Sequence, residues 1–420
     1  MATNPEIADI FSFVRHAQPR VVFVNRYFYP DLSATSQMLF DLASRLVQQG
    51  VEVHVVCSDG LYDDPSKKLA PEENVRGIQV HRAWTSSFGR GRLYGRAIDY
   101  GSFYVTASAK LLGLLRAGDT VVAKTDPPLI SIAVAAIAKL RGARLVNWLQ
   151  DVFPEVASHL GANPLPEWLD NRLKKLRDYS LAVAQTNVVL GTRMREHLEA
   201  RNIPSDRIRV IENWADGDAV TPKALDACEL RARLGIEDKF VVAYSGNLGR
   251  AHEFQTLLSA AERLSVDTSI VFLMIGGGAK MEQLQGAVAA KKLLNFRFLP
   301  YQPRELLSDS LAAADVHLAC LLPQLEGLIV PSKFYGILAA GRPTIFIGDT
   351  DGELARIIKS TRCGEAVAVG DVDALVTTIG QLQADTPSLE QMGQRARAVF
   401  LERYTVGRAT RQWMEALQEA

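Results

Sequence analysis

The stretch Glu326-Gly-Leu-Ile-Val-Pro-Ser-Lys-Phe-Tyr-Gly-Ile-Leu-Ala-Ala-Gly-Arg-Pro343 decides the fold. A buried-strand pattern ends just before it at Cys320, and a loop with one carboxylate and one glycine follows. Pro331-Ser332 then opens an apolar helix that stops at Gly341-Arg342-Pro343, and a further strand runs from Thr344 to Ile347. Proline and serine suit an opening helical turn, and glycine with a following proline suits the stop. A helix N-terminus behind a glycine loop presents free N–H groups and a partial positive charge, which suits a phosphate. The same spacing also serves an ordinary strand–helix–strand connection.

The alternation extends outward in both directions. Apolar runs predict strands at Arg20–Asn25, Val51–Cys57, Ile78–Trp84, Thr120–Lys124, Ala143–Trp148, Asn187–Leu190 and Ile208–Ile211. Helical patterns separate them at Ser36–Gln49, Ile98–Leu115, Leu129–Leu140, Leu165–Val183 and Arg193–Arg201. A polar stretch at Asp216–Lys223 marks a boundary, and a second set begins with Phe240–Ser245, Ile270–Ile275, Phe296–Leu299 and Val316–Cys320, ending with Ala366–Val369. The runs lack polar alternation, as expected for parallel strands buried on both faces. The expected architecture is α/β, with two doubly wound Rossmann-like domains and a ligand crevice at the carboxyl ends of the strands. The divisions are a short extra helix over 1–19, a first domain over 20–217, a second over 218–399, and a final helix over about 400–420. That last helix, broken near Tyr404-Thr405, either crosses back onto the first domain through Phe400, Tyr404 and Trp413 or lies on the second.

A chain of 420 residues exceeds one core. Lys+Arg and Asp+Glu are both 47, so the basic excess of a nucleic-acid protein is absent. The four cysteines are scattered without metal-ligand spacing and read as reduced thiols, and no metal site is expected. Met1–Arg20 lacks the continuous apolar core of a signal peptide, and the longest apolar run, Pro127–Leu140, is too short for a bilayer. The expectation is a cytoplasmic chain, peripheral to a membrane at most.

Chemistry-bearing residues gather at strand ends. After the first strand, Asn25–Gln37 offers Ser33, Thr35 and Ser36, the last two either as helix caps or as donors to an oxyanion. Asn147-Trp-Leu-Gln-Asp-Val-Phe-Pro-Glu155 places Gln150 and Asp151 at the fifth strand end. Gln150 can orient a hydroxyl but cannot act as acid or base, and Asp151 is either a ligand contact or a cap. Asp126 stands before Pro127-Pro128, which also suits a rigid turn. Tyr244-Ser-Gly-Asn-Leu-Gly-Arg-Ala-His-Glu-Phe254 opens the second domain's first turn with Gly246, Asn247, Arg250 and His252. Arg250 is its one full cation, and a guanidinium binds phosphate bidentately. Ile275-Gly-Gly-Gly-Ala279, with Gly277 at its centre, permits close backbone approach, and Phe298-Leu-Pro-Tyr-Gln-Pro303 carries Tyr301.

In order and placement these segments resemble the family 4 retaining glycosyltransferases of bacterial cell-surface polysaccharide synthesis, over about residues 20–415. The resemblance implies the GT-B fold, no metal or other cofactor, and a nucleotide-sugar donor, UDP- or GDP-linked. It also implies transfer with retention to a glycan or polyprenyl-linked acceptor approached at the cytoplasmic face of the inner membrane. Residue by residue, it implies Arg250, Glu326 and Asp151 as catalytic contacts. Gly246, Asn247, His252, Gly277, Tyr301, Gly327, Ser332, Lys333 and Glu353 would bind the donor, and Ser33, Thr35, Asp126 and Gln150 the acceptor. Three departures stand out. The glycine-rich turn after the first strand is missing. Asn247 and His252 occupy the places of the family's usual Arg and Lys. The paired glutamates eight apart fall at Leu328 and Gly336, so Glu326 lies two residues before the first and nothing replaces the second. Asp351 and Glu353, at the next strand end, are the alternatives for the ribose. Cations beside apolar groups at Ser86–Tyr104, including Arg90, Arg92 and Arg96, and at Arg172–Arg177 suit an anionic membrane surface or a solvated face. Two other classes remain open: a nucleotide-sugar epimerase of the same architecture, and a non-catalytic sugar-binding relative.

Overall fold

Fourteen strands form among the described residues of the computed structural model, which are 20–31, 33–62, 64, 67–88, 93–161 and 165–418. The helix expected over 1–19 lies outside them, as do Arg90 and Arg92. In chain order the strands are β1 (Arg20–Val24), β2 (Glu52–Ser58), β3 (Glu72–Val75), β4 (Ile78–Ala83), β5 (Thr120–Lys124), β6 (Arg144–Trp148) and β7 (Thr186–Val189). They continue with β8 (Ile208–Val210), β9 (Phe240–Asn247), β10 (Ile270–Gly277), β11 (Phe296–Leu299), β12 (Val316–Cys320), β13 (Thr344–Gly348) and β14 (Gly364–Ala368). Every strand expected from an apolar run is present, with ends shifted by at most about two residues, the usual uncertainty of element ends. The unexpected strand is β3. Its Glu-Glu-Asn-Val carries no apolar run, because it pairs antiparallel with β4 at the sheet edge and three of its four residues are exposed.

The chain divides into two compact units, Met1–Asn147 with Leu417–Ala420, and Trp148–Ala416. The division falls inside β6, and the boundary expected near 217 lies within the second unit. In the first unit the strand order is β3-β4-β2-β1-β5-β6. β1 pairs in parallel with both β2 and β5, so the chain reverses its winding at the carboxyl ends of β1 and β5. In the second unit β7 and β8 pair in parallel, and a six-stranded sheet runs β11-β10-β9-β12-β13-β14. All its pairs are parallel. Numbered from its own first strand, that order is 3-2-1-4-5-6, the doubly wound arrangement whose crevice opens where the order reverses. Here the reversal lies between β9 and β12.

The unbroken apolar runs follow from burial on both faces of this sheet. Val242, Phe272, Met274, Leu318 and Ile345 join one core, while Val241, Ala243, Val271, Leu273 and Ile275 join another on the opposite face. Successive strand residues point to opposite sides, so both must be apolar. The last two helices, Thr386–Arg403 and Val406–Gln418, break at Tyr404-Thr405 as expected. Trp413 is fully buried with its ring edge-on to Trp148 at 4.7 Å, and Trp148 stacks on Trp214 at 5.8 Å. Tyr404 accepts a hydrogen bond from the Ala215 amide. Phe400 and Tyr404 join the core of the second unit, in which Trp413 also packs. All four cysteines are buried and unbridged.

Candidate functional site

The carboxyl ends of β9 and β10 meet at glycines because no side chain fits there. Gly246 lies opposite Gly276, and a Cβ on Gly276 would stand 2.2 Å from the Gly246 carbonyl oxygen. Both have positive φ, 125° and 124°, which glycine adopts without penalty. A Cβ on Gly277 would lie 3.1 Å from the Tyr301 ring, and one on Gly246 would lie 3.5 Å from Lys333 Cε. Gly246, Asn247, Gly277, Tyr301, His252 and Lys333, proposed separately from the sequence, thus line one place.

Lys333 opens the helix Lys333–Ala339, with Ser332 exposed at the N-cap position but making no side-chain cap bond. Its amine donates to the Tyr244 hydroxyl and to the Asn247 carbonyl at 3.4 Å, lies 3.2 Å from His252 Nε2, and sits 3.9 Å from the Tyr244 ring centre. The Tyr244 hydroxyl in turn donates to the Asn247 carbonyl at 2.8 Å. Tyr244 was not anticipated as part of this group. The visible signal was a polar-tipped aromatic ending an otherwise apolar strand. Burial, with no carboxylate beside it, lowers the Lys333 amine to about 8. Burial first, and the Lys333 charge second, push the His252 imidazole down to about 3. Arg250 is exposed on the same loop, and that loop is tied to the segment after β12 by the Leu322 amide donating to Ala251 O at 2.9 Å.

A second group forms around the two proposed carboxylates. Glu326 accepts the Glu353 amide at 2.8 Å, capping the helix Glu353–Thr361. Burial raises its carboxyl. A Cβ on Gly352 would stand 2.4 Å from Glu326 Oε2. Glu353, itself buried, accepts from the Arg193 amide at 2.8 Å and the Thr192 hydroxyl at 3.0 Å. Arg356 pairs with Glu196 at 3.1 Å and with Asp351 at 2.9 Å, which lowers the Asp351 carboxyl. Gly327 adopts φ 74°, and a Cβ there would stand 3.0 Å from Arg193 O. The Val152 amide donates to Leu328 O at 3.0 Å, and Asp151 forms an isolated bridge with Ile329. Asp151 and the Glu326 loop are therefore neighbours. Gln150 is buried and donates to Asn213 Oδ1 at 3.3 Å. Gly336 has only Leu311 Cδ1, at 3.7 Å, near the Cβ direction.

In the first unit, the Ser33 amide donates to Asp31 Oδ1 at 2.8 Å, and the Thr35 carbonyl accepts from Lys124 Nζ at 2.8 Å. Ser33 occupies the N-cap of the helix Ala34–Gln48 without a side-chain cap bond, and Thr35 and Ser36, the expected caps, lie inside the helix, where the Ser36 hydroxyl donates to Asp31 O at 2.9 Å. The Asp126 carbonyl accepts the Arg26 amide at 2.6 Å. Arg26 itself was overlooked. It is buried at the winding reversal of this sheet, 4.7 Å from the Tyr100 ring centre and 4.0 Å from Asp99. The basic run Arg172–Arg177 also reads differently in the structure. Arg177 is buried in a bidentate pair with Glu155, at 2.6 and 3.0 Å, and Lys174 pairs with Asp170 at 2.6 Å. Only Arg172 and Lys175 of its cations are exposed.

With this geometry in place, comparison with known proteins gives the class. Residues 33–214 match the Glycosyl transferase 4-like domain, and residues 226–399 match Glycosyl transferases group 1. The chain belongs to the family 4 glycosyltransferases of GT-B fold. It is 27% identical over 299 residues to the probable glycosyltransferase WbjE of Pseudomonas aeruginosa, covering 71% of this chain and 74% of that protein. It is 26% identical over 371 residues to the putative colanic acid biosynthesis glycosyl transferase WcaI of Escherichia coli (strain K12), covering 84% and 89%. The structure of Anabaena Alr3699/HepE in complex with UDP and glucose superposes with a TM-score of 0.72 at 16% identity, over 96% of this chain and 100% of that one.

Proposed function

We propose that this glycosyltransferase moves a sugar, with retention and without a metal, from a UDP- or GDP-linked donor to a glycan or polyprenyl-linked acceptor in bacterial surface polysaccharide synthesis. The observation that carries the donor part is the Lys333 amine, which makes no ion pair with a carboxylate among the described residues and sits beside the two glycine-bearing strand ends of β9 and β10. A diphosphate supplies the missing anion. HepE, whose fold this chain shares, is described in complex with UDP-glucose.

The chain's groups then divide as follows. Lys333 and Arg250 neutralise the departing diphosphate, the work a preorganised cation does best in a site that excludes water. Tyr301 forms a wall for the base against Gly277. Glu326, on the loop beside Asp151, meets the donor sugar, and Asp151 and Gln150 orient the acceptor hydroxyl. Asp351 and Glu353, after the strand that follows Gly336, are the alternatives for the missing ribose partner.

The acceptor part draws support from the helix Glu167–Val183. Its exposed side carries Trp168, Arg172, Lys175, Leu176, Tyr179 and Val183, and its Asp170 and Asp178 are turned into ion pairs. Aromatic and apolar groups interleaved with cations suit the interface of an anionic bilayer. No helix among the described residues is long and apolar enough to cross a membrane. The test is a thermal-shift and transfer screen against UDP-, GDP- and dTDP-sugars. Stabilisation by a UDP or GDP donor, followed by release of the diphosphate on adding polyprenyl-linked acceptor, is the expected result. Isomerisation of the donor without acceptor would point to the epimerase class, and binding without any turnover to a non-catalytic relative.

A further inference from the structure

Lys333 and His252 together can exist in two hydrogen-bonded arrangements that differ by one proton. The His252 Nδ1 atom lies 3.1 Å from the Gly249 amide nitrogen and 3.3 Å from the Gly249 carbonyl oxygen, while Nε2 lies 3.2 Å from the Lys333 amine. An ammonium only donates. With Lys333 charged, Nε2 must accept from it, and the Nδ1 proton faces the Gly249 carbonyl. With Lys333 neutral, its lone pair accepts from Nε2–H, and Nδ1 accepts the Gly249 amide. The charged state takes the Nδ1 acceptor away from the Gly249 amide, whereas the neutral state satisfies both ring nitrogens, so the geometry at the histidine favours the neutral amine until an anion arrives.

The groups facing the amine share this bias. β9 contributes the Tyr244 hydroxyl and the Asn247 carbonyl, and β12 contributes the Cys320 thiol, which burial pushes up to about 11. From the helix Ala279–Ala290, Lys280 adds a second cation, which donates to His252 O. The nearby Glu253 carboxylate is occupied by the Thr256 amide at 3.1 Å. Cations and neutral groups surround Lys333, and no carboxylate among the described residues pairs with it.

We propose that binding of the donor's diphosphate draws one proton from solution onto Lys333, with His252 changing tautomer, so that donor affinity is set by pH through this amine. The proposal rests on the nucleotide-donor reading above. Burial already places the free amine at about 8 and keeps His252 neutral throughout that range. An anion against the amine raises it. Affinity is therefore level below the free value and falls by up to about tenfold per pH unit above it, until the raised value of the complex is reached.

The experiment is calorimetric titration of the full chain with UDP, and in parallel GDP, at pH 8.5 in buffers of different ionisation enthalpy. The terminal phosphate ionises near about 6, so the nucleotide itself contributes no proton there. The expected result is uptake of up to one proton by the wild type. Lys333→Arg, which stays charged, should bind without uptake. Lys333→Met should bind about ten- to a hundredfold more weakly, the scale of losing one charged hydrogen bond, and also without uptake. Wild-type binding with no proton uptake overturns the proposal and leaves the donor reading intact. Uptake that persists in Lys333→Arg assigns the proton elsewhere and overturns it too. Failure of both nucleotides to bind defeats the donor reading, and the proposal with it.

Discussion

The Glu353 carboxylate accepts the Arg193 backbone amide at 2.8 Å, which places a second-sheet helix residue at the N-terminus of the helix Thr192–Glu199. The contact exists because residue 191 is a glycine: a Cβ there would stand 2.4 Å from Glu353 Cδ. A carboxylate at a helix N-terminus gains from both the free amides and the helix dipole. This seat joins the β7–β8 segment to the six-stranded sheet within the second unit.

Gly191→Ala should therefore displace the carboxylate and cost about 1–3 kcal/mol, the range for losing a charged hydrogen bond. Denaturant titration measures it. In a Glu353→Ala background the same substitution should cost much less, because the group it displaces is already gone. Equal costs in both backgrounds would mean the seat does not hold the two elements.

Arg250→Ala should lower turnover by about 10²-fold with donor saturating, the scale of one preorganised charge contact. Single-turnover assays separate this from product release. Wild-type turnover in the variant would remove Arg250 from the reaction. Its exposed position predicts that thermal stability stays unchanged.

Trp413→Ala should cost about 3–5 kcal/mol, because the ring is fully buried against Trp148 and the cavity left behind is large. Thermal unfolding of the intact chain is the check. A loss under about 1 kcal/mol would show that the last helix does not anchor where the structure puts it.

Arg172, Lys175 and Trp168 changed together to Glu, Glu and Ser should abolish co-sedimentation with anionic vesicles while leaving UDP binding unaltered. Binding should weaken with salt, as screened surface charge requires. A wild-type chain that stays in the supernatant at low salt would favour a soluble acceptor.

Much of the fold was legible because buried parallel strands must be apolar on both faces, and runs such as Val21–Val24 and Val241–Ala243 announce this without long-range information. The polar edge strand Glu72–Val75 escaped because pairing with β4, not its own composition, makes it a strand. At the site, glycines and cations identified the crevice residues Gly246, Gly277 and Lys333. Tyr244 and Arg26 were overlooked, since an aromatic or cation at a strand end becomes informative only when its neighbour across the sheet is known. The partners of Glu326 and Glu353 were likewise beyond reach. Glu326 contacts a residue 27 positions away and Glu353 one 160 positions away, and no local pattern encodes either.

The central claim is that the glycine-lined end of β9 and β10, with Lys333 beside it, binds a nucleoside-diphosphate sugar for transfer. Release of UDP or GDP from a radiolabelled donor, with the label recovered in a polyprenyl-linked or glycan product, measures it most directly. The account predicts acceptor-dependent label transfer in the wild type, reduced by about 10²-fold in Arg250→Ala and weakened in its donor dependence by Lys333→Met. No label transfer with any UDP- or GDP-sugar and acceptor, from a chain shown to be folded, would contradict it.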